Sequence, residues 1–449
     1  MHILVLNGSP KGDMSITLQT VRYLEKLHPE HSFSVLHVGQ RIKSLEKDFA
    51  PAREALDCAD LLLFAYPVYT FIAPYQLHRF IELLKADGVS VVGKYASQIT
   101  TSKHFYDVTA HAYIEDNCRD LGLKYLRGLS ADMEDLTTEK GRAEAVAFWD
   151  NLMWRIDRGE TEPYYSVTAS YTPVRASVPQ ETDKTSQGEV VIVSDCSVQD
   201  VSLRAMIDRF RAVLPMKCRE VNLREYPFKG GCLGCFHCAA DGTCVYKDGF
   251  DTFLREQIQT ADAIVYAFTV RDHSMGARMK LYDDRQFCNG HRTVTIGMPV
   301  GYLVSGNYGA EPNLRTIVEA RAQVGGNILA GVAEDNVDPD AQIDRLAAHL
   351  LYALEHKPAQ PQNFYGIGGM KIFRDLIYQM RGMMKADHKF YKSHGQYDFP
   401  QKQKGKILLM YLVGAMIASP KIRAKMGNRM NEGMLAPYQK VLNNVKPKA

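Results

Sequence analysis

Short apolar runs alternate with longer stretches of helical period along most of the chain. Ile3-Leu4-Val5-Leu6 is unbroken apolar and stops at Asn7-Gly8-Ser9-Pro10, after which a helical pattern runs to about Leu27. Residues 31–38 predict a second strand, and residues 59–65 a third that ends in Tyr66-Pro67-Val68-Tyr69. A helix over 74–85 and a fourth strand over 95–99 follow, the strand opening into a loop with Thr100, Thr101, Ser102, Lys103 and His104. Apolar runs without alternation mark strands covered on both faces. Alternated with helices, they predict an α/β domain over 1–158 with a doubly wound parallel sheet and its ligand loops at the carboxyl ends of the strands.

Residues 159–188 are polar and rich in Thr, Ser and Pro, and read as an interdomain linker. Beyond them the first pattern returns. Residues 3–15 align on 190–202 at an offset of 187, and Ala59-Asp60 with Ala65 and Val68 on Ala261-Asp262 with Ala267 and Val270 at an offset of 202. The chain therefore predicts two copies of one fold, the second over 189–360, with 15 extra residues between its second and third strands. Residues 361–449 belong to neither copy and predict helices, an amphipathic one over 370–392 and an apolar one over 406–419.

The extra residues hold the densest chemistry in the chain. Cys232, Cys235, Cys238 and Cys244 fall in thirteen positions of a chain with nine cysteines in all. Such C-x2-C-x2-C-x5-C spacing suits a metal better than a structural disulfide, and is close to the run that holds a [4Fe–4S] cluster; structural zinc, redox thiols and an empty site are the alternatives. Cys58, Cys118, Cys218 and Cys288 are spaced singly and read as core residues. After the first strand, residues 8–17 join small and hydroxyl residues to a helix start, which makes a phosphate cradle. An ordinary turn is the other reading. In the second copy the same loop, 194–202, has two carboxylates and neither Gly nor Lys, which disfavours a phosphate. Arg278, Lys280 and Arg285 add positive charge there, as a solvated helix face or as a receiver of a nicotinamide phosphate, and residues 304–309 are placed to close over a ligand.

The first 155 residues, with N-G-S-P-K-x3-S-x-T after strand one and P-V-Y after strand three, resemble the NAD(P)H-dependent FMN reductase group of flavodoxin-like proteins. The resemblance implies two tandem flavodoxin-like domains plus a helical extension. It implies that Ser9, Pro10, Lys11, Ser15 and Thr17 hold the FMN phosphate. Pro67, Val68 and Tyr69 would then lie beside the isoalloxazine ring, and Thr101, Ser102 and His104 at its far edge. Tyr69 and His104 are the candidate catalytic residues, with simple packing as the other reading of each. The second copy with its cysteines resembles the iron–sulfur flavoproteins, in which one subunit's cluster lies near its partner's FMN. That likeness implies a fused pseudo-dimer with the cysteine run brought toward FMN in the first copy.

The expected activity is flavin-dependent oxidoreduction, with electrons from NAD(P)H or a ferredoxin-like donor passing between a [4Fe–4S] cluster, FMN and a small-molecule acceptor. An NAD(P)H-dependent FMN or quinone reductase whose cysteines bind zinc or nothing, and a non-enzymatic electron carrier, are the alternatives. Charge changes the picture only at the end of the chain. The net charge is +3, yet residues 361–449 carry 16 Lys/Arg against 4 Asp/Glu. Lysines 402, 404 and 406 precede the apolar helix, and Lys421, Arg423 and Lys425 follow it. This segment is expected to pack on the domains, to join a homodimer, or to contact a membrane surface; it carries no nucleic-acid reading motif. With no leader pattern and unpaired cysteines, a cytoplasmic location is expected.

Overall fold

The computed structural model describes residues 1–163, 171–398, 404–421 and 429–444. The first copy runs β1 (His2–Asn7), α1 (Ile16–Leu27), β2 (Ser32–Leu36), α2 (Val38–Leu45), α3 (Ala50–Cys58), β3 (Leu61–Pro67), α4 (Tyr75–Asp87), β4 (Tyr95–Ser102), α5 (Asp107–Asp120), β5 (Lys124–Tyr125), β6 (Leu129–Asp132) and α6 (Glu139–Asp157). Its parallel sheet has the order β2-β1-β3-β4-β5, with β6 also on β4. The second copy runs β7 (Ser186–Ser194), α7 (Val201–Val213), β8 (Met216–Asn222), two short turns α8 (Cys238–Asp241) and α9 (Phe250–Phe253), β9 (Ala263–Thr269), α10 (Gly276–Arg285), β10 (Pro299–Ser305), α11 (Pro312–Gly325), β11 (Ile328–Glu334) and α12 (Pro339–His356). Its order, β8-β7-β9-β10-β11, repeats the first. The repeat is also one of register, since Ile3 pairs with Leu61 and Val190 with Ala263. The cysteine run sits after β8, where the first copy has α2 and α3.

Equivalent elements of the two copies meet each other. α4 packs on α10 and α5 on α11, as in a two-fold dimer contact. The first turns of α4 and α10 are capped reciprocally: Tyr75 N donates to Asp284 Oδ2 at 2.7 Å and Ala277 N to Glu82 Oε1 at 2.7 Å, both pairs related by the offset of 202. One apolar core, including Phe80, Leu84, Met275 and Met279, continues from copy to copy. The two outer faces have cores of their own, around Trp149 in the first and Phe210 in the second.

At the edge of this contact His273 lies between Asp120 (Nε2 to Oδ2, 3.1 Å) and Glu311 (Nδ1 to Oε2, 3.1 Å). Burial alone would lower its pKa, but hydrogen bonds to the two carboxylates push it up to about 10. A raised histidine pKa stabilises the fold fully below the ordinary value near 6.5 and loses that contribution as pH rises through the folded value. His273→Gln should therefore lower the melting temperature most at pH 6 and progressively less toward pH 10. A deficit independent of pH would show that the imidazolium is not the source.

Two expectations are corrected here. Residues 370–392 are not one helix: α13 (Phe364–Gln379) and α14 (Lys385–Ser393) are separated around Gly382, the poorest helix former in the run, and Met384 is buried in the break. The later half of the linker packs on the second copy. Ala176 is buried in the second copy's outer core, Val174 N donates to Asp335 O at 2.7 Å and Ser177 N to Asp340 Oδ1 at 2.9 Å. Cys58 is exposed at the end of α3, whereas Cys118 and Cys288 are buried and Cys218 half-buried.

Residues 1–390 form one compact unit and 391–449 another. The second includes α15 (Lys404–Ala418) and a helix over Arg429–Asn443. Among the described residues no helix is long and apolar enough to cross a membrane. Residues 164–170 of the linker, and Lys402, Arg423 and Lys425, lie outside the described residues.

Candidate functional site

The loop from β1 to α1 is shaped by the Asn7 side chain and by the end of β3. Asn7 Nδ2 donates to Gly12 O (3.0 Å), Ser9 N donates to Asn7 Oδ1 (3.1 Å) and Gly8 N to Ala65 O (2.8 Å), so the chain turns before the helix starts. Ser15 caps α1, its Oγ accepting from Leu18 N. Ser9, Lys11, Ser15 and Thr17 line a cavity of about 490 Å³, and three of the four are buried hydroxyls. Pro10 is buried but does not line it. Gly39 of α2 lies against the back of this loop: a Cβ there would stand 2.4 Å from Gly8 O and from the Ser9 carbonyl atoms. Nothing in the sequence pattern marked Gly39.

Pro67, Val68 and Tyr69 border the same cavity, and the turn that follows is left-handed at Thr70 (φ 41°) and Phe71 (φ 74°). The second copy holds that turn. Lys280 Nζ donates to Tyr69 O (2.8 Å) and to Thr70 Oγ1 (2.6 Å), and Thr70 Oγ1 donates to Asp284 Oδ1 (2.7 Å). Lys280 and Asp284 are wholly buried, so the solvated-face reading of Lys280 is wrong; the same holds for Arg285, 2% exposed and bonded to both Asp248 oxygens and Gly230 O. Desolvation, with the Cys232 thiol nearby, holds the Tyr69 hydroxyl well above its usual pKa and therefore protonated.

Thr101 and Ser102 also line the cavity, from the last two positions of β4 rather than from a loop, because pairing with β6 carries the strand to Ser102. Thr101 Oγ1 is buried without a hydrogen-bond partner among the described residues, which offers it to a ligand. His104 is not brought to the cavity. Its φ of 57° turns the half-exposed ring toward Asp107, to which Nδ1 lies at 2.8 Å.

All four clustered cysteines border the cavity that the cradle borders. Their loop crosses from the second copy onto the first: Gln76 Nε2 donates to Cys232 O (3.2 Å), Lys43 Nζ bonds Lys229 O, and Lys11 Nζ stands 5.7 Å from the Phe236 ring centroid. Gly234, at φ +59°, lies so near Tyr69 that a Cβ would meet its hydroxyl. Gly234 N approaches Cys232 Sγ at 3.4 Å, and Cys238 Sγ donates to Phe287 O at 3.0 Å. Burial raises Cys232, and pushes Cys238 up to about 11. All four are free thiols. Their chemistry suits soft metal ions, yet among the described residues no three Cys, His, Asp or Glu side chains are gathered as a ligand set.

The equivalent site of the second copy is filled by the chain. Asp200 accepts from Ser197 N (2.8 Å), Thr269 Oγ1 (3.2 Å) and Arg271 Nη2 (2.8 Å). Buried Asp335 accepts from Tyr171 Oη, Ser202 Oγ, Ser305 Oγ and Gly306 N at 2.6–2.9 Å. Thus two carboxylates engage the hydroxyl, guanidinium and backbone donors of the second loop, the linker's Tyr171 hydroxyl among them. Residues 304–309 do not border the cavity, contrary to expectation; β10 ends against Asp335 instead. The lining is completed by Phe287, His291 and Ala322, which the sequence did not single out, and by Phe373 and Met380 of the segment read as an amphipathic helix.

Residues 1–152 match a family profile described as a flavodoxin-like fold. An iron–sulfur flavoprotein of Archaeoglobus fulgidus is 27% identical over 176 residues, 36% of this chain and 78% of that protein. An FMN-dependent NADH:quinone oxidoreductase of Pseudomonas syringae pv. tomato is 30% identical over 118 residues, 20% of this chain, which spans 56% of that relative's length. A general stress protein 14 of Treponema denticola, solved with FMN, covers 35% of this chain and 99% of its own at 17% identity and a TM-score of 0.27.

Proposed function

We propose that the chain, whose residues 1–152 match a flavodoxin-like fold, is an FMN-dependent oxidoreductase of the NAD(P)H-dependent FMN reductase kind, its single flavin lying in the first copy beside the cysteine loop of the second. The observation that carries this reading is the shared cavity, bordered on one side by Ser9, Lys11, Ser15 and Thr17 and on the other by Cys232, Cys235, Cys238 and Cys244. Bound FMN would supply hydride and electron transfer between NAD(P)H and an acceptor such as a quinone. The chain's part is placement. Lys11, the hydroxyls and the start of α1 give a phosphate dianion one cation, several donors and a favourable helix dipole. The protonated Tyr69 hydroxyl and the unpartnered Thr101 Oγ1 are donors for the rest of the ligand. Lys280 and Asp284 fix the turn that presents Tyr69, and the loop over 232–244 borders the same cavity.

The finer reading adds a [4Fe–4S] cluster on the four cysteines. Four thiols on one wall, the approach of Gly234 N to Cys232 Sγ and the name of the Archaeoglobus relative support it. The ungathered thiols favour the second reading, the same oxidoreductase with zinc or nothing at the cysteines. Anaerobic purification with iron, sulfide and flavin assays separates the two: the cluster requires about four irons and four sulfides per chain. In that case Cys235→Ser should reduce iron and sulfide severalfold and leave flavin content within about twofold, because the cradle is built by other residues. Background iron in the parent chain with normal flavin would eliminate the cluster and keep the oxidoreductase. Steady-state oxidation of NADH and NADPH with a quinone tests turnover, and none with any acceptor would leave a carrier.

A further inference from the structure

Two helices of the unit over 391–449 carry exposed apolar residues. In α15, Leu408, Leu409, Met410, Tyr411, Leu412 and Met416 are each more than half exposed. Five of the six are consecutive, so at 100° per residue they cover every side of the helix. A second exposed apolar stripe, Leu435, Tyr438 and Leu442, runs along the helix Arg429–Asn443 at i, i+3 and i+7.

Charge says what covers them. From residue 399 to residue 431 there is no Asp or Glu, and seven Lys or Arg lie before and after the apolar run. Fifteen residues of helix reach about 22 Å, short of the ~30 Å hydrocarbon layer, so the segment does not span. A second copy of this chain would bring the same positive charge against itself and could cover only one side of α15. Nucleic acid would answer the charge and leave the apolar surface in water. A bilayer surface rich in anionic lipid answers both, since acyl chains surround the helix on all sides below the headgroups while its end lysines stay at phosphate level.

We propose that α15, with Lys404 and Lys406 before it and Lys421 after it, is an in-plane anchor for anionic lipid surfaces. The anchor does not depend on which cofactors the first unit holds. Binding of the full chain to sedimenting vesicles tests it, with phosphatidylcholine alone or mixed with phosphatidylglycerol. The expected result is at least about tenfold tighter binding to the anionic vesicles, weakened by high salt. Leu408→Glu with Leu412→Glu should abolish it. Lys404→Gln with Lys406→Gln should reduce the preference for phosphatidylglycerol, and Val108→Glu, an equally exposed position in the first copy, should change nothing. Unaltered circular dichroism and melting show that the variants are folded. Equal binding to both vesicle types, no binding to either, or binding unchanged by the leucine substitutions would overturn the proposal. So would a dimer in sedimentation velocity that the leucine substitutions dissociate, or tight duplex DNA binding in place of vesicle binding.

Discussion

Asp284→Ala is expected to destabilise the protein by about 3 kcal/mol or more, the usual cost of leaving a buried partner's charge uncompensated. Lys280 and Asp284 are both 0% exposed, and Asp284 is also the acceptor for Thr70 Oγ1 and for the N–H that opens α4. Its loss strands an ammonium that Asp283, at 3.2 Å and also bonded to Arg321, compensates only in part. The effect reaches the site because the same lysine holds Tyr69 O and Thr70. Urea unfolding should show the midpoint fall, and FMN affinity should fall with it even where the variant is fully folded. Asp284→Asn keeps the shape and one acceptor and should be milder in both readouts. A stability loss below about 1 kcal/mol would mean that water or rearrangement satisfies the pair, contrary to its burial.

Gly39→Ala is expected to weaken FMN binding about a hundredfold while leaving the sheet intact. The added methyl meets backbone at 2.4 Å, not a side chain that could swing away, so either α2 or the cradle must move. β1 and its pairing with β3 fix the entry to the cradle, whereas residues 9–14 are held mainly by short local hydrogen bonds, with the Asp13–His37 pair (3.4 Å) and the Lys11–Phe236 contact as the longer-range ties. The loop is therefore the part that yields. Displacing it by an ångström forfeits one or two charge-assisted hydrogen bonds of roughly 1.5–3 kcal/mol each, and every ~1.4 kcal/mol is tenfold in affinity. Fluorescence titration of the apoprotein with FMN measures this. Unchanged affinity, with α2 shifted instead, would show that the cradle is stiffer than its bonding suggests.

These two positions also show where the sequence stops being legible. The central strands were readable because both faces of each are buried, which leaves unbroken runs such as Ile3–Leu6, and the duplication because the two offsets preserve register across β1 and β3. The cradle and the cysteines were readable because their chemistry is local in sequence. Lys280, Asp284 and Arg285 were not: charged residues on a helix ordinarily face water, but Lys280 and Asp284 are buried against the first copy at the α4–α10 contact, and Arg285 by Asp248, Gly230 and the Tyr246 and Phe250 rings of its own copy. Gly39 carries no signature, since its role is the absence of a side chain where two backbones pass. His104 followed the loop expected after β4, but pairing with β6 lengthened the strand and moved the turn past the cavity. The linker's Tyr171, Val174 and Ala176 have no apolar period, because each is anchored singly to a site in the second copy.

We infer that duplication left one working flavin site, the second being occupied by the protein's own carboxylates. The deciding quantity is the ratio of bound flavin to chain after saturation with FMN and removal of excess. About one FMN per chain is expected, lost on substitution of Lys11 and Ser15 and retained on substitution of Asp200 and Asp335, because a phosphate dianion needs donors that are not already engaged. A ratio near two, or flavin that survives loss of the first cradle, would contradict it.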